Sequence, residues 1–482
     1  MGNIKIKAIT TITLITIIVI ATLAITVISF YYLKIYRRKE GVILRVITRH
    51  GYDILEKARV AFLKSKYANE YNIKDIVFMS VDPSEWIDII RESVKEPGRG
   101  IDVAWGGGPT LFDLLSREGL LAPIESEEVL SIVNELPREI AGSSMVRVTP
   151  DGEIMWVASA ISSFGLTINK EFLKERNLPI PQKWISLTNE TYAITLPSPC
   201  IGTADPTAST SNTRMFEIIL QIYGWRNGWK VLTLIVANAV IYSESGLVRD
   251  AVMRGDVGVG TTIDFYGYTA QLKKPGVCLY LIPKDGSIVN GDPIALLKTS
   301  EHPDAAQAFI AWVLSVDGQK LWLNENINRM PINSKVFNTP EGNARPDLKA
   351  SYEMTIKATT IDFNESLALS YEEAMRLFFH ATLVQAHNEL QTAWRAIAIA
   401  KLQNKITIEE FLRLIDELAD PVTFKFKDPE GQWHTFTTTY AKSINNRLLK
   451  DSEFKTKIVQ IWRDAAKARY ANVLEELKRL TG

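Results

Sequence analysis

The stretch IDVAWGGGPTLFDLL, residues 101–115, predicts a strand that ends in a glycine run and is followed by a helix. A short, continuous apolar run of this kind is typical of a strand covered on both faces of a sheet. The glycine run is not a phosphate-binding P-loop, because no Gly-Lys-Ser/Thr sequence follows it. The stretch therefore predicts one strand–helix step of an α/β sheet.

Two similar steps precede this stretch. Strands are predicted at 42–48 and 73–82, and each is followed by an amphipathic helix, at 54–67 and 83–95. This order, with connections of a few residues, predicts a parallel sheet with helices on both faces. The loops at the carboxyl ends of such strands meet at one edge, where ligands bind.

A second α/β unit follows the first. Its strands are predicted at 164–170, 192–199, 256–263, 277–283 and 292–298. The chain from about residue 345 is predicted to be mostly helical, apart from a hairpin that turns at Asp428-Pro429-Glu430-Gly431. Two α/β units joined by crossing strands predict two lobes with a ligand cleft between them.

The N-terminal segment from Ala8 to Leu33 carries no charged side chain. At about 1.5 Å per residue it would form a helix of about 39 Å, enough to cross a bilayer with some tilt. It exceeds the apolar length of a secretory signal, so an uncleaved transmembrane helix is predicted. Two lysines precede the segment and four basic residues follow it. That count alone would leave the large domain in the cytoplasm.

Composition excludes several classes of protein. Lys+Arg and Asp+Glu both number 55, so no global basic field exists to hold nucleic acid. Two cysteines, Cys200 and Cys278, exclude a disulfide scaffold and a four-cysteine zinc site. They could form one bridge or remain two buried thiols. No nucleophile elbow, zincin helix, Walker loop or dinucleotide fingerprint is present, which disfavours the corresponding enzymes.

Six segments in order resemble the ABC-importer solute-binding proteins of the iron(III), spermidine and thiamine type, which have the periplasmic-binding fold, type II. Besides 101–115, they are SSFGLTINKEFLKERNLPIPQKW (162–184), ADPTASTSNTRMFEIILQIYG (204–224), SGLVRDAVMRGDVGVGTTID (245–264), LIPKDGSIVNGDPIALLK (281–298) and HPDAAQAFIAWVLSVDGQKLW (302–322). With PINSKV shortly after, the resemblance covers about residues 42–337.

The resemblance implies an α/β, two-lobed periplasmic-binding-protein-like fold (type II) with an N-terminal transmembrane helix and a mostly helical C-terminal extension. The implied parts are 1–39 for the anchor and its flanks, 42–160 plus 287–337 for lobe 1, 161–286 for lobe 2, and 338–482 for the extension.

The resemblance also implies a function. Members of this family bind and release ligands without chemistry, so we expect no enzyme activity and no cofactor. We expect an extracellular substrate-binding component of an ABC importer that captures a small polar or anionic solute and delivers it to the permease. Its partners would be the solute, the permease subunits and the lipid bilayer, with no nucleic acid.

The expected localisation is the cell membrane, single-pass, with the large domain on the extracellular side. A solute receptor works only outside the cell, so the resemblance outweighs the count of flanking basic residues. A retained N-terminal helix, many isoleucines and sequons at Asn189 and Asn364 are compatible with an archaeal source.

Ser209, Thr210, Ser211 and Asn212 stand directly before an apolar helical run. A helix start offers free backbone N–H groups and a positive dipole end, which suit carboxylate or phosphate. The family places ligand contacts here, so these four residues are predicted to bind ligand. The alternative is one helix-capping residue in a solvated loop.

Further candidates follow the ends of predicted strands. They are His50, Tyr52, Trp105, Gly106, Gly107, Gly108, Ser162, Asp264 and Tyr266. Glycines let a ligand approach the backbone, aromatic rings supply flat walls, and histidine can donate to an anion. The alternative is ordinary packing: a tight turn over a core tryptophan, a packed or solvent-facing histidine and a helix-capping aspartate.

Two other functions remain open from the sequence. A ferric-iron or other metal receptor of the same fold is one, but iron-binding relatives use an adjacent tyrosine pair, and this chain has Tyr266-Gly267-Tyr268. The other is a membrane-anchored structural or interaction protein without a ligand.

Overall fold

A computed structural model describes residues 41–82 and 85–482. The strands include β1 (Val42–Thr48), β2 (Ile73–Ser80), β3 (Val103–Trp105), β4 (Leu121–Ala122), β5 (Glu139–Ile140), β6 (Ser143–Ser144), β7 (Val146–Val148), β8 (Ile154–Asn169), β9 (Ile201–Ala204), β10 (Ala239–Tyr242), β11 (Val259–Ile263), β12 (Cys278–Leu281), β13 (Val289–Leu297), β14 (Met330–Pro331), β15 (Lys425–Lys427) and β16 (Trp433–Thr435).

The α-helices that accompany the two sheet units are α1 (Tyr52–Leu63), α2 (Lys66–Glu70), α3 (Trp86–Ser93), α4 (Pro109–Arg117), α5 (Glu127–Glu135), α6 (Lys170–Glu175), α7 (Glu190–Ala193), α8 (Thr210–Ala237), α9 (Ser245–Arg254), α10 (Asp264–Lys273), α11 (Pro303–Leu314) and α12 (Val316–Gln319). Those nearer the C-terminus are α13 (Pro340–Asn343), α14 (Pro346–Thr355), α15 (Glu365–Phe379), α16 (His387–Leu402), α17 (Ile408–Ala419), α18 (Thr438–Lys450) and α19 (Ser452–Thr481). No helix among the described residues is both long and apolar enough to span a bilayer. The predicted anchor at 8–33 lies outside those residues.

The first α/β unit is built around parallel strands, as the sequence predicts. β1 pairs in parallel with β2 on one side and β3 on the other. The sheet continues from β3 to β13, which is antiparallel to it. Every residue of β3 is buried, in keeping with a central strand covered by helices on both faces.

The strand β8 joins the two units. Its sixteen residues are all buried. Its first part pairs with β13, from Val157 opposite Ile294 to Ser163 opposite Val289. Its later part pairs with β11, from Phe164 opposite Ile263 to Ile168 opposite Val259. One strand therefore leaves the first sheet and enters the second, which is the crossing predicted for a two-lobed fold.

The second unit has the order β10-β9-β11-β8. β9 is parallel to both β10 and β11, while β12 adds to β8 in the antiparallel sense. Gly165 of β8 allows β12 to approach, because a Cβ there would lie 2.3 Å from the carbonyl oxygen of Leu281.

One predicted strand is wrong. Residues 192–199 form the end of α7 and a turn, and the strand of this region is β9, which begins at Ile201. Pro197 and Pro199 explain the difference, since proline has no N–H to donate to a central sheet.

The C-terminal part packs on the second unit and shares a hydrophobic core with it. Phe379 of α15 stacks on Phe216 of α8 at 4.5 Å between ring centroids, and Phe378 lies 5.1 Å from Trp229. The predicted hairpin is present as β15 and β16. α15 continues into a π-helical turn at His380–Val384 before α16. The extension is therefore integrated with the second unit, as its amphipathic pattern predicts.

Candidate functional site

The glycine run forms the turn between β3 and α4. Gly106, Gly107 and Gly108 have φ angles of 78°, 120° and 85°, a conformation that suits glycine. A Cβ on Gly106 would lie 2.8 Å from Nε2 of His50, so the turn rests directly on that ring. α4 begins with Pro109, and no side chain of the described residues caps its first backbone N–H groups.

His50 is a buried residue beneath this turn and is 4% exposed. Its ring packs edge-on against Trp105 at 4.4 Å. Arg329 donates from Nη1 to Nδ1 of His50 at 3.3 Å, so the ring proton is assigned to Nε2. Burial lowers the pKa of His50 to about 4, against the opposing effect of Asp292. His50 is therefore neutral at neutral pH.

Asp292 of β13 organises the turn from below. Its Oδ1 accepts from the Gly107 N–H at 3.0 Å, and Arg329 donates to its Oδ2. Burial acts to raise the pKa of Asp292, but Arg329, His50 and the Gly107 amide outweigh burial and hold that pKa below its ordinary value. The carboxylate is thus ionised and compensated, as a buried charge requires.

Three buried hydroxyls of β8 already have hydrogen-bond partners within the chain. Ser159 donates to the Asp292 carbonyl at 2.8 Å, Ser163 lies 3.3 Å from Asp264 Oδ2, and Thr167 lies 2.6 Å from the Thr262 hydroxyl. Ser162 Oγ is buried, and no partner for it occurs among residues 41–82 and 85–482.

Arg329 Nε is likewise buried and unpartnered within the described part of the chain. Arg329 and Ser162 flank the pairing of Met330 with Ile161, so the two residues lie on neighbouring strands. The Arg329 guanidinium lies 4.8 Å from the ring of Phe265, which follows β11. Two free donors thus lie where the first unit meets the second.

The start of α8 lies beside the start of α4, where Arg214 donates to Thr110. Ser209 caps the helix, and its Oγ accepts from the Asn212 backbone N–H at 3.4 Å and from Asn212 Nδ2 at 3.1 Å. Asn212 is fully buried, and its Oδ1 accepts from Thr261 at 2.7 Å and Thr203 at 3.3 Å. Ser209 and Asn212 therefore fix the helix start to the sheet.

Thr210 is exposed and Ser211 is half-buried, so their hydroxyls are the accessible ones at this helix start. The extension holds the preceding loop in place. Arg376 of α15 donates to the carbonyls of Pro206 at 3.0 Å and Thr207 at 3.1 Å. Nδ1 of His380, in the π-helical turn, lies 2.6 Å from Asp205 Oδ2.

Asp264 begins α10 and is 1% exposed. Its Oδ2 accepts from the Ser163 N–H and its Oδ1 from the Phe265 N–H, both at 2.7 Å. Burial raises the pKa of Asp264 to about 7, although these hydrogen bonds and Arg329 oppose the shift. Asp264 therefore ties β8 to the end of β11.

Tyr266 lies 4.9 Å from the Arg249 guanidinium. Tyr268 is buried, with its hydroxyl 3.1 Å from Thr355 Oγ1. No group of three or more histidine, cysteine or acidic residues in the described ranges is arranged to hold a metal ion. Cys200 and Cys278 are buried and unpaired, in agreement with the second interpretation of the sequence.

The predicted residues thus fall into three sets. The accessible set is Gly107, Gly108, Thr210, Ser211 and Tyr266, whereas Ser162 is buried with a hydroxyl that has no partner among the described residues. The packed set is His50, Trp105, Gly106, Ser209, Asn212 and Asp264. Tyr52 is 77% exposed on α1. Contact of any of them with a ligand stays a prediction.

Sequence reasoning missed several polar residues of this region. Arg214 of α8 donates from Nη2 to Thr110 Oγ1 of α4 at 3.1 Å, which joins the two helix starts. Asp292 and Arg329 lie within the segments NGDPIALLK and NRMPINS, where an acidic residue before proline in an apolar strand was the available signal.

An open depression of about 490 Å³ lies elsewhere, between the second unit and the extension, and includes none of the predicted site residues.

The fold is a two-lobed α/β architecture in which β8 passes from one sheet to the other. Residues 64–350 match the family described as "Bacterial extracellular solute-binding protein", and the chain belongs to that family. The resemblance in the sequence is therefore confirmed, and the family consists of extracellular binding proteins that serve ABC transporters.

Among curated proteins, the chain is 28% identical over 379 residues to the phosphoglycerate transport regulatory protein PgtC of Salmonella typhimurium, covering 78% of this chain and 85% of that protein. It is 26% identical over 225 residues to an uncharacterised protein of Haemophilus influenzae, covering 45% of this chain and 59% of that protein. These relatives are bacterial and give no support to the archaeal source compatible with the sequence.

Solved structures share the fold. The periplasmic binding protein AfuA from Actinobacillus pleuropneumoniae, solved with fructose-6-phosphate, superposes with a TM-score of 0.51 at 18% identity, over 67% of this chain and 92% of that one. A periplasmic thiamin binding protein gives a TM-score of 0.50 at 17% identity, over 70% of this chain and 94% of that one.

Proposed function

We propose that this chain captures a small anionic solute, bearing a phosphoryl or carboxylate group, between its two lobes and delivers it unchanged to an ABC permease. The protein would act as a binder without catalytic activity and without a cofactor. Closure of the lobes would remove water from the solute and make each hydrogen bond more selective.

The carrying observation is the pair of buried donors without partners, Ser162 Oγ and Arg329 Nε. Buried polar groups in folded proteins are nearly always hydrogen-bonded, so buried donors without a partner call for an acceptor from outside the protein. An arginine N–H donates most strongly to an anionic oxygen.

The starts of two helices also favour a negatively charged solute. α4 begins at the open glycine turn, and α8 begins at Thr210. The hydrogen bond from Arg214 to Thr110 brings these two positive helix ends together. Two helix starts and an arginine favour an anion over a cation such as thiamine or spermidine.

The similarity to the phosphoglycerate transport regulatory protein PgtC supports the same solute class. Phosphoglycerate carries both a phosphoryl and a carboxylate group. We therefore propose a small phosphorylated acid as the first solute to test.

The remaining parts of the proposal concern organisation. Residues 8–33 would anchor the chain in the membrane with the large domain outside the cell. Lobe 1 would comprise 42–160 and 287–337, lobe 2 would comprise 161–286, and the extension would begin at 338. The switch of β8 from β13 to β11 near Ser163 supports the first boundary.

Titration calorimetry of the detergent-solubilised full chain tests the solute class. We expect heat of binding with 3-phosphoglycerate, competition by inorganic phosphate, and none with thiamine or spermidine. Binding of thiamine or spermidine in preference to 3-phosphoglycerate would overturn the proposal.

A further inference from the structure

The C-terminal extension reaches the cleft at the start of α15. The Asn364 N–H donates to Gln221 Oε1 at 2.8 Å, and Gln221 Nε2 donates to the Asn364 carbonyl at 3.0 Å. Gln221 belongs to α8 of the second unit. The first residue of α15, Glu365, is therefore fixed to that unit.

From this anchored position, Glu365 contacts the first unit. Thr110 Oγ1 donates to Glu365 Oε2 and accepts from Arg214 Nη2 at 3.1 Å. Arg214 Nη1 lies 3.1 Å from the same Glu365 oxygen. Thr110 is the second residue of α4, directly beyond the glycine turn. Three side chains thus join both units and the extension at one point.

Two acidic side chains, Glu365 and Glu217, lie beside Arg214 at this point. Glu217 also lies 3.1 Å from Arg214 Nη1. Burial raises the pKa of Glu217, although Arg214 opposes that shift. Arg214 lies over the ring of Phe363 at 4.7 Å, which limits its other orientations.

We propose that Thr110, Arg214 and Glu365 form a latch by which the C-terminal extension favours the closed arrangement of the two lobes. The inference rests on the proposed function, because closure affects affinity only if the solute binds between the lobes. The segment beyond residue 337 would then regulate affinity without touching the solute. Since apparent affinity scales with the closed fraction, loss of the latch raises the apparent Kd in proportion.

A double-mutant cycle on the detergent-solubilised full chain tests the latch with 3-phosphoglycerate as the probe. We expect Glu365→Ala and Thr110→Val each to weaken binding by about ten-fold, and the double variant to bind no more weakly than either single variant. Losses that multiply in the double variant, or unchanged affinity in both single variants, would overturn the latch. Glu353→Ala, at an exposed glutamate of α14, is the matched control.

Hydrogen exchange without any solute separates this inference from the proposed function. We expect amides of residues 107–112 and 208–214 to exchange faster in Glu365→Ala than in the unmodified chain or in Glu353→Ala. If 3-phosphoglycerate does not bind the unmodified chain, the proposed function falls and the exchange result alone decides the latch. Equal exchange in all three proteins would disprove it. Glu365→Gln, which keeps an acceptor for Thr110 but no charge, replaces Glu365→Ala if that variant does not fold.

Discussion

Ser162 differs from its neighbours on β8 because its buried hydroxyl has no partner within the described chain. Removing an unpaired buried hydroxyl does not break a hydrogen bond, so Ser162→Ala should leave the free energy of unfolding unchanged or slightly raised. If the solute accepts from this hydroxyl, the same change should weaken binding by about ten-fold. Urea unfolding and calorimetry with 3-phosphoglycerate measure the two effects.

Ser163→Ala is the matched control for that prediction. The Ser163 hydroxyl lies 3.3 Å from Asp264 Oδ2 and from the Tyr280 hydroxyl, so its loss should cost about 1 kcal/mol of stability. If Ser162→Ala binds 3-phosphoglycerate with full affinity, Ser162 does not belong to the binding site.

The hydroxyls at the start of α8 should divide between binding and folding. Joint replacement of Thr210 and Ser211 by alanine should weaken 3-phosphoglycerate binding by about ten-fold or more, because both are accessible. Ser209 is buried and caps the helix, which is the alternative that the sequence offered. Ser209→Ala should instead lower stability by about 1 kcal/mol. Thermal unfolding and calorimetry separate the two roles, and unchanged affinity in the double variant would contradict the first.

Asp264 should impose a pH dependence on stability. Burial raises its pKa from 3.8 to about 7, so the folded chain keeps a proton that the unfolded chain has lost within that window. The contribution of this proton to the free energy of unfolding is complete below pH 3.8. It declines by about 1.4 kcal/mol per pH unit from there up to about pH 7. Urea unfolding of Asp264→Asn should lack this decline. Parallel pH curves for the two proteins would show that Asp264 titrates normally.

At the residue scale, the local sequence predicts only some residues of the candidate site. The glycine run and the hydroxyl-rich helix start are visible because turns and helix starts have local signatures. The contacts of Asp292 with Gly107 and of Arg214 with Thr110 join residues far apart in the chain. Only the folded topology brings such pairs together, so their partners could not be read from spacing.

At the scale of elements, strands with continuous apolar runs were predictable, and the proline-containing segment 192–199 was not. The switch of β8 between sheets is also beyond local patterns. Its buried residues include Ser159, Ser162, Ser163 and Thr167, which are polar and obscure the apolar run. Tertiary hydrogen bonds decide their burial.

The shared core predicts that the extension and the second unit unfold together. Phe378 of the extension lies 5.1 Å from Trp229 of the second unit and stacks on Phe436 at 3.6 Å. Phe378→Ala should therefore cost about 3–5 kcal/mol. Leu449→Ala, at a residue of α18 that is 61% exposed, is the control and should cost much less. Hydrogen exchange can monitor the unfolding of residues 161–286 and of residues 338–482. Two separate unfolding transitions would contradict a shared core.

At the scale of the whole molecule, two observations predict opposite orientations of the chain in the membrane. The basic residues after the apolar segment favour a cytoplasmic domain, whereas family membership requires an extracellular one. The charge bias acts over short flanks, and long domains translocate largely regardless of charge. Family membership therefore has the greater weight.

Protease protection tests this orientation directly. Protease added to intact cells should remove the large domain, because the proposed anchor at 8–33 would hold it outside the membrane. The integrated core predicts that digestion starts in exposed loops, such as 428–432 of the hairpin, and not by loss of the whole extension. A known cytoplasmic protein in the same cells should survive until lysis. If the large domain survives equally long, the basic flank sets the orientation and the chain cannot collect a solute from outside the cell.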